Sequence, residues 1–244
     1  MTSEKRMVDP PLGRRLRMAL VGGAGSGFIG RVHVVAATLD NQAELVAGAL
    51  SSSPQRGREA AEEFGIDAGR AYASAPDLVE AESALPAEQR ADFVTIATPN
   101  YTHFEIARGA IEAGFNVVCD KPMTIDLGQA EELAKLVEQR RVVFAVTHGY
   151  AGYPMVRQAR ELIGSGDLGE IHAVRVNYIQ GGMMGLKPGQ RPARAAWKAD
   201  PKKVGLSGAM ADMTRAWAWC PIIPVMKATS ASLTSSSSAA CRAA

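Results

Sequence analysis

From Leu16 to about Val146, short apolar runs alternate with stretches in which apolar residues return every three or four positions. A strand buried on both faces loses the every-second-residue alternation and becomes a continuous Val, Ile, Leu or Ala segment. Five runs fit that description: Leu16–Val21, Leu45–Leu50, Phe93–Ala97, Asn116–Cys119 and Val142–Val146, with a weaker sixth around Arg70–Ala73. The segments between them carry a helical period. Phe28, Ile29, Val32, Val35, Ala36 and Leu39 fall on one face of the first. Ser53 and Pro54 open the second, a serine cap followed by proline at the first helical position. Phe104, Ile106, Ala107, Ala110 and Ile111 line another, which stops at Gly114, a natural left-handed terminator. Asp126 and Gln129 open a later one in a capping-box-like pattern that buries Leu127, Ala130, Leu133, Ala134 and Val137. Six βα-type units in series predict an α/β fold, a doubly wound parallel sheet with helices on both faces.

Beyond Val146 the texture changes. A helix is expected from about Pro154 to Ser165, ending at Gly166. Ile171–Ile179 then alternates, with Val174, Val176 and Tyr178 on one face. That alternation suits an antiparallel strand with one solvated side, the start of an α+β domain. Gly181–Ala193, rich in Gly, Met and Pro, reads as a loop. The expected organisation is therefore an N-terminal extension (1–15), a dinucleotide-binding domain (16–148), an incomplete second domain (149–212) and a divergent tail (213–244). Past Asp212 the chain has no acidic residue, and Ser230–Ser238 is low-complexity, the texture of a disordered tail.

Composition narrows the partners. The 244 residues are 47% hydrophobic and 21% charged, with 27 basic against 25 acidic side chains and a formal net charge of +2. Such a balance, with no basic stripe, argues against nucleic acid or a membrane surface and for a small molecule or another protein. No apolar run approaches the ~20 residues of a spanning helix, and no apolar core of signal-peptide length precedes Leu16. Cys119, Cys220 and Cys241 are widely spaced and form no metal-ligand pattern, so no metal site is expected and a reducing, cytoplasmic compartment is.

Candidate chemistry gathers where the strands end. The first runs into Gly22-Gly23-Ala24-Gly25-Ser26-Gly27-Phe28-Ile29-Gly30, in which Gly25, Gly27 and Gly30 satisfy G-x-G-x-x-G and Gly23 offers an overlapping register. A dinucleotide needs a tight turn there, backbone close to the pyrophosphate, and phosphates on a helix N-terminus. The second strand ends at Leu50-Ser51-Ser52-Ser53-Pro54-Gln55-Arg56. An NAD enzyme usually places a carboxylate here for the ribose hydroxyls. Ser51 and Arg56 instead suit a 2′-phosphate, which favours NADP over NAD, although Ser53 as a cap and Arg56 as a solvated side chain give the bland reading. Thr98-Pro99-Asn100 leads to His103 after the next strand, and Cys119-Asp120-Lys121-Pro122 ends the one after. A lysine at that point could hydrogen-bond a substrate oxygen or exchange a proton, or it could be a surface turn closed by proline.

In order and spacing these residues resemble the Gfo/Idh/MocA family of sugar and polyol dehydrogenases. The resemblance rests on the glycine loop with Gly30 to His33, Thr98-Pro99-Asn100 to His103, and Asp120-Lys121-Pro122. It continues through Gly166 to Ile171, Trp197 to Pro201, and Gly208 to Asp212. The family motif usually reads Glu-Lys-Pro, so Asp120 is a conservative departure. The resemblance implies a pyridine nucleotide cofactor, a sugar- or polyol-like substrate, and a lysine (Lys121) holding the substrate hydroxyl. It also implies an Asp-x-Gly-x-His motif whose histidine is the acid/base. Asp212 matches that aspartate, but Ala216 stands where the histidine would be and no later histidine exists. Family members continue into an open antiparallel sheet that commonly mediates oligomerisation, of which this chain has about one strand; homo-oligomerisation is not expected of it. A reading-frame slip or truncation after Asp212 accounts for these losses together, and a genuine divergent tail is the alternative. The leading functional reading is an oxidoreductase; the other is a non-catalytic, redox-sensing dinucleotide-binding protein.

Overall fold

In the computed structural model, which describes residues 12–25, 28–174 and Lys203, the first apolar run forms β1 (Leu16–Gly22) in the interior of a sheet. Met18, Ala19 and Leu20 are wholly buried there, as a strand covered on both faces requires. It pairs in parallel with β2 (Ala43–Ala49) on one side and β3 (Phe93–Ala97) on the other. Then β4 (Asn116–Cys119) and β5 (Phe144–Val146) extend the sheet, giving the order β2-β1-β3-β4-β5 with every pairing parallel. The order reverses at β1, so the crevice outside the carboxyl ends of β1 and β3 is the topological switch point where such sheets bind ligands.

The expected sixth strand at Arg70–Ala73 is reduced to one bridge, Ala71 beside Gly48, with the Tyr72 N–H donating to the Gly48 carbonyl at 2.8 Å. A side-chain cluster holds this segment. Glu82, fully buried in α3 (Ala75–Ala84), accepts from Arg70 Nε (3.0 Å) and Nη2 (2.6 Å), the Tyr72 hydroxyl (2.9 Å) and the Ala91 N–H (2.8 Å). Four donors satisfy the carboxylate, which is the condition for a buried charge to be tolerated.

Helix α1 (Phe28–Thr38) forms where expected but turns a different face inward. Phe28 at its start and Leu39 just past its end are 72% and 76% exposed, and Val32 and Val35 between them are exposed as well. Ile29, Gly30, Val34 and Ala37 face the sheet instead. The cause is steric. A Cβ on Gly30 would stand 2.5 Å from the Gly23 Cα, so the backbone contact between these glycines fixes the helix rotation ahead of any apolar side chain.

The other helices follow their sequence signals. In α2 (Pro54–Phe64) Ser53 occupies the cap position but makes no side-chain cap bond; the Ser53 N–H instead donates to the Ser51 hydroxyl at 3.1 Å. Helix α4 (His103–Glu112) is followed by Gly114 at φ +81°. In α5 (Leu127–Arg140) the Asp126 carboxylate caps the Gln129 N–H at 2.9 Å, and Leu133 is buried while Leu127 is exposed.

Two compact units emerge, Met1–Thr147 with Asp200–Ser207, and His148–Ala199 with Gly208–Ala244. The described part of the second holds α6 (Pro154–Gly164), followed by Gly166 at φ +80°. Residues 171–174 form no strand; the rest of the alternating run, the Trp197–Pro201 stretch and the tail lie outside the described residues. Among the described residues, no helix is long and apolar enough to cross a membrane.

Candidate active site

Strand register lines up the candidate residues. Gly22 pairs with Ala97, and Ile96, Cys119 and Val146 lie abreast in successive strands. One or two residues further on, the glycine loop, Thr98, Asp120 and Thr147 therefore leave the sheet at its carboxyl end. Backbone bonds bind them there: the Asp120 N–H donates to the Ile96 carbonyl (2.9 Å) and the Thr147 N–H to the Cys119 carbonyl (3.0 Å).

The glycine loop is built around absent side chains. A Cβ at Gly22 would lie 2.8 Å from the Ala97 carbonyl oxygen, and one at Gly23 would lie 2.9 Å from the Gly30 Cα. Gly25, at φ +71°, faces open space instead. Its backbone is thus bare and left-handed just ahead of α1, which suits close approach by a phosphate to a helix N-terminus. The Ala24 N–H donates to the Leu50 carbonyl at 3.1 Å, tying the loop to the end of β2. Phe28 and Ile29 begin the helix; Gly27 lies outside the described residues, as does Asp212.

Beside the end of β2, a cavity of about 410 Å³ is lined by Ser51, Gly57, Arg58, Ile66 and Tyr72, among others. Arg56, exposed on the same helix, does not line it. Arg58 and Tyr72 are additions that sequence reading missed. An arginine spaced two residues past Arg56 was the available signal.

After β3, the Thr102 hydroxyl lies 2.7 Å from both the Thr98 hydroxyl and the Pro99 carbonyl, and Asn100 is buried. His103, only 1% exposed, sits behind these residues and not in the crevice. Its Nδ1 is 2.8 Å from the Pro122 carbonyl and its Nε2 2.9 Å from the Thr98 carbonyl.

After β4, Lys121 is half-buried, and the Lys121–Pro122 peptide is cis. The Asp120 carboxylate accepts from the Thr147 hydroxyl at 3.0 Å. It also faces His33 of α1, whose imidazole is held below its usual pKa by burial, with the Asp120 charge acting the other way. His33 Nε2 is buried with no hydrogen-bond partner. Cys119 cannot serve as a nucleophile, because burial, reinforced by the Asp120 charge, pushes its thiol far up, and the thiolate is the reactive form.

The structure thus brings the glycine loop, Thr98–Asn100 and Asp120–Lys121 to one edge of the sheet, with Ser51 at the neighbouring strand end. It sets His103 behind that edge and Arg56 out in solvent.

Comparison with known proteins gives a consistent picture. The Gfo/Idh/MocA family model, described as an oxidoreductase family with an NAD-binding Rossmann fold, matches residues 16–148. An uncharacterized oxidoreductase, YfiI of Bacillus subtilis, is 32% identical over 215 residues, covering 88% of this chain and 53% of its own. Levoglucosan dehydrogenase of Pseudarthrobacter phenanthrenivorans is 28% identical over 220 residues, covering 82% of this chain and 48% of its own. Among solved structures, an inositol dehydrogenase homolog from Azotobacter vinelandii complexed with NADH and myo-inositol superposes with a TM-score of 0.62. It is 43% identical, over 64% of this chain and 41% of that one. The chain spans about half the length of the curated relatives it matches.

Proposed function

This chain belongs to the Gfo/Idh/MocA oxidoreductase family, and from that premise we propose that it is a pyridine-nucleotide-dependent oxidoreductase of the sugar or polyol dehydrogenase type. The observation that carries the reading is the row of strand ends, where a glycine-rich loop and Lys121 leave the same edge of one parallel sheet. A dinucleotide fits this edge. Gly23 and Gly30 leave room only for backbone, and Gly25 presents a bare peptide to open space where a pyrophosphate would lie. Relatives named as a levoglucosan dehydrogenase and as an inositol dehydrogenase homolog holding NADH and myo-inositol support the substrate class.

When bound, the nicotinamide supplies hydride exchange with a carbinol carbon. The chain's own residues do the rest. The backbone N–H groups of the glycine loop and of the first turn of α1, Phe28, Ile29 and Gly30 included, would hold the phosphates. Ser51 and the exposed Arg56 would hold the adenosine ribose and its 2′-phosphate, which favours NADP over NAD. Thr98, Pro99 and Asn100 form the wall at the switch point. The Lys121 ammonium hydrogen-bonds the substrate hydroxyl and stabilises the developing oxyanion, while Asp212 supports proton transfer. The buried free thiol of Cys119 fits a reducing compartment, and we place the protein in the cytoplasm.

A second reading, a non-catalytic dinucleotide-binding protein, is favoured by Ala216, which occupies the place of the family's acid/base histidine. Fluorescence titration with NADH and NADPH, followed by turnover across a panel of sugars and polyols, separates the two. Saturable binding with turnover that vanishes in Lys121→Ala supports the enzyme. Saturable binding with no turnover supports the second reading, and no saturable binding removes both.

A further inference from the structure

His103 is fully buried, yet both of its ring nitrogens meet backbone carbonyls of loops that leave the carboxyl edge of the sheet. Nε2 faces the carbonyl of Thr98, the first residue after β3, at 2.9 Å. Nδ1 faces the carbonyl of Pro122, one residue beyond Lys121, at 2.8 Å. A buried imidazole needs polar partners whatever its role; what distinguishes this one is that its two partners belong to different loops, one after β3 and one after β4. The loop that carries Lys121 has a second tether on its other flank, where the Thr147 hydroxyl donates to the Asp120 carboxylate at 3.0 Å. Lys121 therefore stands between two fixed points, one from the end of β5 and one from α4.

We propose that His103 is the positioning residue of Lys121, an imidazole clasp that joins the loop after β4 to the loop after β3 and sets where the lysine amino group stands. The proposal gives Lys121 its importance from the functional reading above, but the clasp itself is a statement about geometry. A reacting group displaced by about 1 Å loses much of its rate, so a residue that never touches substrate can still govern the reaction. His103 acts through the Pro122 carbonyl, and that is the contact a test must isolate.

The two ring nitrogens allow this. The side-chain amide nitrogen introduced by H103N falls near the place of Nδ1, and the one introduced by H103Q falls near that of Nε2. A neutral imidazole carries one N–H, and the clasp places it on Nδ1, facing the Pro122 carbonyl; H103N thus keeps a donor toward Pro122, while H103Q offers one toward Thr98 instead. The readout is the acylation rate of Lys121 by a water-soluble active ester, measured by mass spectrometry against exposed Lys135 in the same molecules. H103N should keep the Lys121-to-Lys135 ratio near that of the unchanged protein. H103Q and H103F should shift it by about fivefold, the effect of one lost hydrogen bond.

A role in packing alone predicts the opposite order, because glutamine fills the imidazole volume better than asparagine. Equal ratios in both amide variants, or a larger shift in H103N, would overturn the clasp. Should H103F fail to fold, the amide pair still decides. Protection of Lys121 by NADH or NADPH in the unchanged protein is scored separately: its absence with both counts against the functional reading and leaves the amide comparison intact.

Discussion

The two ends of the parallel sheet are built from opposite materials. At the amino end, where β1 and β3 begin, charged side chains do the joining. Asp92 accepts the Arg17 N–H at 2.7 Å and two bonds from Arg14 at 2.7 and 2.9 Å, and it pairs with the Arg17 guanidinium at 3.3 Å. That guanidinium, largely buried, also donates to the Ala87 carbonyl at 2.8 Å and to the Glu88 carbonyl. At the carboxyl end the same two strands are joined through glycine, where Gly22 meets Ala97 and Gly23 meets Gly30 with no room for a methyl group. One end uses its side chains for stability; the other withholds them and leaves backbone bare for a ligand. Changes at the two ends should therefore separate folding from binding.

The largest effect is expected at the amino end. Asp92→Ala strands the buried Arg17 charge and should cost about 2–4 kcal/mol in denaturant unfolding, with NADH affinity unchanged in what remains folded. Gly30→Ala comes next: overpacking against Gly23 should cost about 1–3 kcal/mol and weaken NADH binding by at least about tenfold in a fluorescence titration. If Gly30→Ala bound NADH normally, the contrast between the ends would collapse.

Acid supplies a finer test. Burial pushes the Asp92 carboxyl up, but the Arg14 hydrogen bond, the Arg17 N–H and both positive charges outweigh it, so its folded pKa lies below the ordinary value. A carboxyl depressed on folding stabilises above its unfolded pKa and loses that contribution as pH falls through the folded one. The thermal unfolding midpoint should therefore drop as pH falls below ~4, and the Asp92→Asn variant should lack that part of the slope. The smallest effect belongs to Gly25→Ala. Nothing lies within 4 Å of its Cβ position, so only the left-handed φ of +71° is penalised, by about 1 kcal/mol. NADH binding should suffer more than stability, because the new methyl group would occupy the space kept open for the pyrophosphate.

Much of this was legible in the residues. The continuous apolar runs marked the five described strands within a few positions, and the Asp126 cap and the Gly114 terminator read correctly from local chemistry alone. Less legible was anything set by contact across the chain. The apolar residues of α1 suggested one inward face, but the Gly23–Gly30 contact imposed another, since close backbone packing outranks the size of side chains. His103 stood in the sequence among residues that could meet a cofactor; only the fold shows it turned inward to two carbonyls. Arg56 was the conspicuous cation after β2, yet Arg58 lines the neighbouring cavity, a matter of helix rotation that spacing does not reveal. The Thr147 tether, 27 residues from Asp120, left no local signal at all.

The single bridge at Ala71 has a meaning of its own for the free protein in solution. A sheet edge offers unpaired N–H and C=O groups to any passing strand, and edge-to-edge pairing is how β-proteins aggregate. Beyond β2 this molecule occupies that edge with one backbone bond, Tyr72 to Gly48, and holds the covering segment down with the buried carboxylate of Glu82. The same short segment contributes Tyr72 to the cavity beside Ser51. The cover on this edge and one wall of that cavity thus depend on a single side chain, so a change at Glu82 is expected to alter both together.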